Sequence, residues 1–159
     1  MNRRSFLATT SAGIAALAGF SVLPLRAAEG TFEITLTEKE WRARLNDTQY
    51  QVLRKEATER AFSSPLDRET RTGTYHCAGC DLPAFSSAHK YDSGTGWPSF
   101  WQPMANTVGT KDDRSLFGVR TEVHCRRCGG HFGHVFDDGP QPTGKRYCLN
   151  GAALSFKLA

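Results

Sequence analysis

The side chains in this sequence best equipped for covalent chemistry are its five cysteines, and they are unevenly placed. Four form two Cys-x-x-Cys pairs, Cys77 with Cys80 and Cys125 with Cys128, which leaves Cys148 alone. An odd thiol among matched ones points to reactivity or to pairing with another chain. Arg146-Tyr147-Cys148-Leu149-Asn150 has the composition of a strand, so alternation sets Arg146, Cys148 and Asn150 on one face. A guanidinium beside a thiol favours the thiolate, the nucleophilic form, and is expected to lower the Cys148 pKa. The competing reading is an inert cysteine packed as a small hydrophobe.

Two imidazoles join the argument. His131-Phe132-Gly133-His134-Val135-Phe136 is strand-like, and either ring can donate or accept a proton near neutrality. In a regular strand His131 and His134 face opposite sides; a bulge at Gly133 would turn both toward one pocket. Taken singly, each serves equally well as a plain hydrogen-bonding residue. Ser93-Gly94-Thr95-Gly96-Trp97-Pro98-Ser99-Phe100 is a glycine-rich turn presenting Trp97. An indole face suits a polarised S-methyl group, although a tryptophan alone is as readily a core residue.

Two Cys-x-x-Cys turns can bring four thiolates tetrahedrally onto one ion, and Cys77, Cys80, Cys125 and Cys128 are assigned here to zinc. Four sulfurs fill the shell, so the ion is structural, a staple between distant segments. A redox-active pair or two disulfides would fit the same spacing, but the βαβ setting of a thioredoxin-like motif is not visible. His76 and His124 adjoin the pairs and are read as neighbours of the ion rather than ligands.

The elements that must position these groups can be read in outline. Thr37 and Glu40 make a capping box, with Leu36 and Trp41 as a hydrophobic staple, so a helix should run from there to about Leu45. A second short helix is expected over Thr48 to Arg54, and Thr58 to Thr72 reads as a surface loop. From Gly73 onward, glycines, prolines and aromatics punctuate strand-sized runs: Gly73 to Cys77, Leu116 to Cys125, His131 to Phe136, Arg146 to Asn150 and Ala153 to Lys157. The expected fold is mainly β, with antiparallel sheets in one small domain, two short N-terminal helices and the four-cysteine zinc site. Tyr75-His76-Cys77-Ala78-Gly79-Cys80 and Val123-His124-Cys125-Arg126-Arg127-Cys128 echo each other weakly, as if two related halves met at one ion.

Residues 1 to 28 read as an export signal. Arg3-Arg4-Ser5-Phe6-Leu7 precedes an uncharged apolar stretch that ends near Ala27 and Ala28, which resembles a twin-arginine signal and implies the bacterial periplasm. The domain proper is then residues 29 to 159, and membrane contact is expected only through the signal. Of 20 Lys and Arg against 16 Asp and Glu, Arg3, Arg4 and Arg26 fall within residues 1–27 and no acidic residue does. The remaining body is therefore close to neutral, which argues against a nucleic-acid partner.

The block CRRCGGHFGHVFDDGPQPTGKRYCLNGAALSF and the shorter SGTGWPSF resemble the signature blocks of the type B methionine sulfoxide reductase family. The resemblance runs from about Leu36 to the C-terminus. It implies reduction of methionine-R-sulfoxide, mainly in oxidised proteins and peptides, with Cys148 as nucleophile and His131, His134 and Asn150 as catalytic companions. It implies further that Trp97 receives the substrate methyl group and that the four paired cysteines hold one zinc ion; Arg146, set beside the thiol by strand alternation, is expected to be substrate-binding. Thiolate attack on the sulfoxide sulfur, with protonation of the departing oxygen by His131 or His134, leaves Cys148 as a sulfenic acid. Many family members carry a resolving cysteine where this chain has Thr95. Regeneration should therefore need an external thioredoxin-like protein or another thiol, with no internal disulfide at Cys148, and the chain is read as a monomer. A zinc-stapled β module that binds a partner without chemistry, or a peroxide-reducing thiol enzyme, would share the zinc site.

Overall fold

In the computed structural model the described residues are 32–115 and 118–159, so the expected export signal lies outside them. Two short helices lead. Helix α1 (Glu38–Arg44) starts on the capping box, the Thr37 hydroxyl accepting from the Glu40 amide while the Glu40 carboxylate accepts from the Thr37 amide. Helix α2 (Asp47–Lys55) begins one residue earlier than expected, because Asn46 caps it and makes its own capping box with Gln49. Trp41, Tyr50, Val52 and Leu53 are the buried residues of the pair.

Among the described residues nine strands follow: β1 (Gly73–Cys77), β2 (Pro83–Ser86), β3 (Lys90–Tyr91), β4 (Ser99–Phe100), β5 (Val108–Ser115), β6 (Gly118–Cys125), β7 (His131–Phe136), β8 (Arg146–Leu149) and β9 (Leu154–Leu158). All pairings are antiparallel, in a three-stranded sheet ordered β2-β1-β9 and a six-stranded one ordered β3-β4-β8-β7-β6-β5. The mainly β architecture with two leading helices is thus as the sequence predicts. Asn150 is a correction: it does not continue β8 but leads into a single 3₁₀ turn, Gly151–Ala153. Between the sheets, Tyr75 and Phe85 pack on Phe100 with ring centroids 4.9 and 4.8 Å apart, and Phe132 and Leu149 are fully buried beside them. That aromatic layer is the floor on which the polar face of the large sheet stands.

Register decides what shares that face. Tyr91 lies opposite Ser99, Ser99 opposite Cys148, Cys148 opposite His134, His134 opposite Glu122 and Glu122 opposite Lys111. Directly opposed residues of antiparallel strands point to the same side, so one polar row crosses all six strands. Between β6 and β7 the register slips: His124 faces His131 but Val123 faces Gly133, so Phe132 is the extra residue of a bulge. The irregularity expected at Gly133 is therefore present one residue earlier, and it sets His131 and His134 on the same face. Gly133 has its own reason to lack a side chain, since a Cβ there would lie 2.1 Å from the Cys148 carbonyl oxygen.

Candidate active site and metal centre

Cys148 sits mid-strand on β8 and is half-buried. With His134 from β7, Trp97 from the loop before β4, Thr58 from the connection after α2, and Asn150, it lines a cavity of about 130 Å³. The lone thiol is thus neither an inert core residue nor a solvent-facing one. The Thr95 hydroxyl lies 3.8 Å from the sulfur and is itself joined to Ser93 (2.8 Å) and through Ser93 to Ser99 (2.7 Å). Burial pushes the Cys148 thiol above its ordinary pKa; the Thr95 hydroxyl and the Arg146 charge pull the other way without offsetting it. The expected lowering is therefore corrected: the resting group keeps its proton. Alkylation of Cys148 by iodoacetamide should then accelerate with pH through a midpoint above that of an ordinary thiol, and Arg146→Met should move the midpoint higher. A midpoint below the ordinary thiol range would refute this electrostatic balance.

The two histidines are wired differently. His134 Nε2 lies 2.8 Å from Asp113 Oδ2, an oxygen that also takes Arg120 at 2.7 Å. Burial lowers its pKa against the pull of Asp113. His131 is 2% exposed, with Nδ1 2.8 Å from Glu122 Oε1 and Nε2 buried without a partner. Burial holds its pKa down to about 4, so this ring is neutral at physiological pH. The ring centroids of His131 and His134 are 5.4 Å apart. His134 lines the cavity, whereas His131 stands behind it as support.

Arg146 and Asn150 hold less direct positions than their types suggest. The Arg146 guanidinium gives Nε and Nη2 to Asp138, each at 2.8 Å, and lies over the Phe136 ring, while its charge and hydrogen-bonding capacity also favour the Cys148 thiolate. The Asn150 side chain accepts from the Glu59 amide at 2.9 Å and donates to the Phe132 carbonyl at 3.0 Å, tying β8 to β7. Sequence reasoning missed Glu59 altogether. Its carbonyl accepts from the Trp97 indole (3.1 Å) and its carboxylate from the Gly151 and Ala152 amides (2.6 and 2.9 Å). One residue of a segment read only as surface loop thus holds the indole, Asn150 and the turn after β8.

Apart from Cys148, the four paired cysteines converge, their sulfurs all within 4.8 Å of one another. Cys77 and Cys128 are 3.7 Å apart and Cys80 and Cys125 3.5 Å, far beyond a disulfide bond. The two turns share one geometry. Cys77 and Cys125 each donate to the carbonyl five residues on, at 2.8 Å, and accept from the amide four residues on, where Asp81 and Gly129 are left-handed. The echo seen in the sequence is therefore structural. Hydrogen bonding among the sulfurs pushes Cys77 and Cys128 up and pulls Cys80 and Cys125 down, so the cluster cannot carry four negative charges without a cation. Such a set can hold a metal ion. His76 bonds the Asp81 carbonyl at 3.0 Å and no histidine joins the cluster.

A family profile described as the SelR domain matches residues 45–158. The chain is 52% identical over 127 residues to "Peptide methionine sulfoxide reductase B1, chloroplastic" of Oryza sativa subsp. japonica, a match covering 79% of this chain but 59% of that protein. It is 49% identical over 126 residues to "Peptide methionine sulfoxide reductase MsrB" of Methylibium petroleiphilum, covering 79% of this chain and 91% of the relative. The protein of the same name from Pseudomonas putida is 51% identical, with 79% and 95% covered. The chain therefore spans about three-fifths of the rice relative's length and almost all of the two bacterial ones.

Proposed function

Because the chain belongs to the SelR-domain family of peptide methionine sulfoxide reductases, we propose that it reduces methionine-R-sulfoxide, chiefly in oxidised proteins and peptides, to methionine. The observation that carries the reading is the direct opposition of Cys148 and His134 across β7 and β8, inside a small cavity walled by Trp97. The Cys148 sulfur attacks the sulfoxide sulfur while the thiol proton passes by way of the neutral His134 ring to the sulfoxide oxygen. In the adduct the hydroxyl moves from the substrate sulfur to the Cys148 sulfur as the original sulfur–oxygen bond and the new sulfur–sulfur bond break, which leaves Cys148 as a sulfenic acid and releases methionine. Thiol plus sulfoxide gives sulfenic acid plus sulfide, so atoms and electrons balance without an outside proton. A protonated resting thiol beside neutral imidazoles suits this sequence, because the proton starts on the sulfur. The indole receives the S-methyl group. His131, Asn150 and Arg146 act from behind, by support, tethering and charge respectively.

Cys77, Cys80, Cys125 and Cys128 would hold one zinc ion. A tetrahedral shell with bonds of about 2.3 Å requires sulfurs roughly 3.8 Å apart, and the spacing here suits it. When bound, the ion supplies cross-linking and no chemistry. Among the described residues no helix is long and apolar enough to cross a membrane. The paired arginines and apolar stretch of residues 1–28 support export of the folded chain to the periplasm.

Regeneration falls to an outside thiol, a thioredoxin-like protein or a small thiol, because the group beside the nucleophile is the Thr95 hydroxyl and the other cysteines are committed to metal. The mature chain should reduce the R epimer of methionine sulfoxide with a dithiol and leave the S epimer untouched. Without reductant it should stop after one turnover with a single oxygen on Cys148, seen by mass spectrometry. Turnover of the S epimer alone, or a disulfide linking Cys148 to Cys77, Cys80, Cys125 or Cys128, would overturn the assignment.

A further inference from the structure

Phe62 is a bulky aromatic held where aromatics are rarely found. Its φ is 63°, in the left-handed region, and its side chain is 62% exposed. A strained backbone that presents an apolar ring to water stabilises neither the loop nor the core, and such positions concentrate at binding sites. The strain is held by the site itself. The Phe62 amide donates to the Gly96 carbonyl at 2.7 Å, and a Cβ on Gly96 would come within 2.8 Å of the Phe62 ring. Gly96 lies between Thr95, which touches the Cys148 sulfur, and Trp97.

The ring also borders a second cleft, of about 500 Å³, lined by Phe62, Tyr91, Gly94, Lys90 and Arg68 among others. Tyr91 belongs to the polar row of the large sheet, two strands from Cys148 and on the same face. At about 4.8 Å per strand the cleft floor is about 10 Å from the nucleophile, the span of about three residues of extended chain. The cavity at Cys148, about 130 Å³, has room for a methionine side chain and little else. Whatever flanks that side chain in a polypeptide must lie over the rim, where Phe62 stands.

Resting on the reading of this chain as a reductase of protein-bound sulfoxide, we propose that Phe62 and the adjoining cleft form a subsite for an apolar side chain two or three residues from the oxidised methionine. Lys90 Nζ is taken by the Asp67 carbonyl and the Glu69 carboxylate by Arg71, which engages two of the charges lining the cleft, while the Phe62 ring stands exposed at its border.

The test uses two peptides, each with one methionine-R-sulfoxide, carrying leucine or glycine at the second and third positions on both sides. The wild type should favour the leucine peptide in kcat/KM by about tenfold. Phe62→Asn, which tolerates a left-handed backbone, should reduce that ratio to near one and raise the melting temperature, while Phe62→Leu should retain most of the preference. The subsite is overturned if the wild type does not distinguish the peptides, or if Phe62→Asn leaves the ratio unchanged. A lower melting temperature in Phe62→Asn would assign the ring to packing instead. Failure of the wild type on both peptides and on free methionine-R-sulfoxide would remove the reductase reading itself, and the subsite with it.

Discussion

Replacing Cys148 with serine is expected to lower kcat/KM for methionine-R-sulfoxide by at least ~10⁴-fold while leaving fold and metal content unchanged. A serine hydroxyl is a far weaker nucleophile than sulfur and cannot take up the oxygen as a sulfenic acid, so both halves of the cycle fail together. Little else should change. Cys148 is half-buried at the edge of a cavity, outside the four-sulfur cluster, and it meets the Thr95 hydroxyl, which a serine at 148 can also meet. Circular dichroism, metal content and steady-state assay on one preparation check this. Residual turnover within tenfold of wild type would place the chemistry on another group; loss of metal alongside activity would make Cys148 part of the staple.

Removing the metal should have the other large effect, on the fold rather than on the reaction. The cluster joins the ends of β1 and β6, strands of different sheets whose cysteines lie 45 positions apart in the case of Cys80 and Cys125. Leu53 of α2 packs beside both cysteine turns, close to Gly79 and Gly130, and Arg54 donates to the Cys128 carbonyl, so the leading helices dock on the same point. Structural zinc binds zinc-finger peptides with about 10–16 kcal/mol, against about 5–15 kcal/mol for the whole stability of a typical domain. Chelation, or Cys125→Ser, should therefore unfold the chain and abolish activity, with loss of near-ultraviolet circular dichroism. A folded, active chain after complete removal of metal would show that the sulfurs are a passive cluster.

The sequence announced the parts of this molecule better than their arrangement. Helix α1 was legible from Thr37 and Glu40 because a capping box is local, and the four-sulfur centre because Cys-x-x-Cys turns carry their own geometry. The mainly antiparallel β character followed from short apolar runs between glycines and prolines. Register was not legible. That Cys148 stands opposite His134 depends on pairings between strands distant in sequence, and a one-residue slip would have put the thiol on the aromatic side. The bulge at Phe132 was foreseen in effect but misplaced by a residue, since glycine draws attention while the residue that bulges is set by the partner strand. Desolvation was the larger gap. A guanidinium near a thiol suggests a low pKa, yet burial in the folded cavity outweighs it, and burial cannot be read from neighbours in sequence. Glu59 gave no signal because its contacts run through backbone groups as well as its carboxylate.

The bonding around Glu59 bears on how the protein fails under stress. Its amide, carbonyl and carboxylate reach Asn150, Trp97, Gly151 and Ala152, so the indole in the cavity wall and the turn that follows β8 share one anchor, while β8 itself is held by β4 and β7. Loss of that anchor should loosen the indole and the turn at the same time. One local opening at Glu59 is therefore expected to disturb two walls of the cavity together.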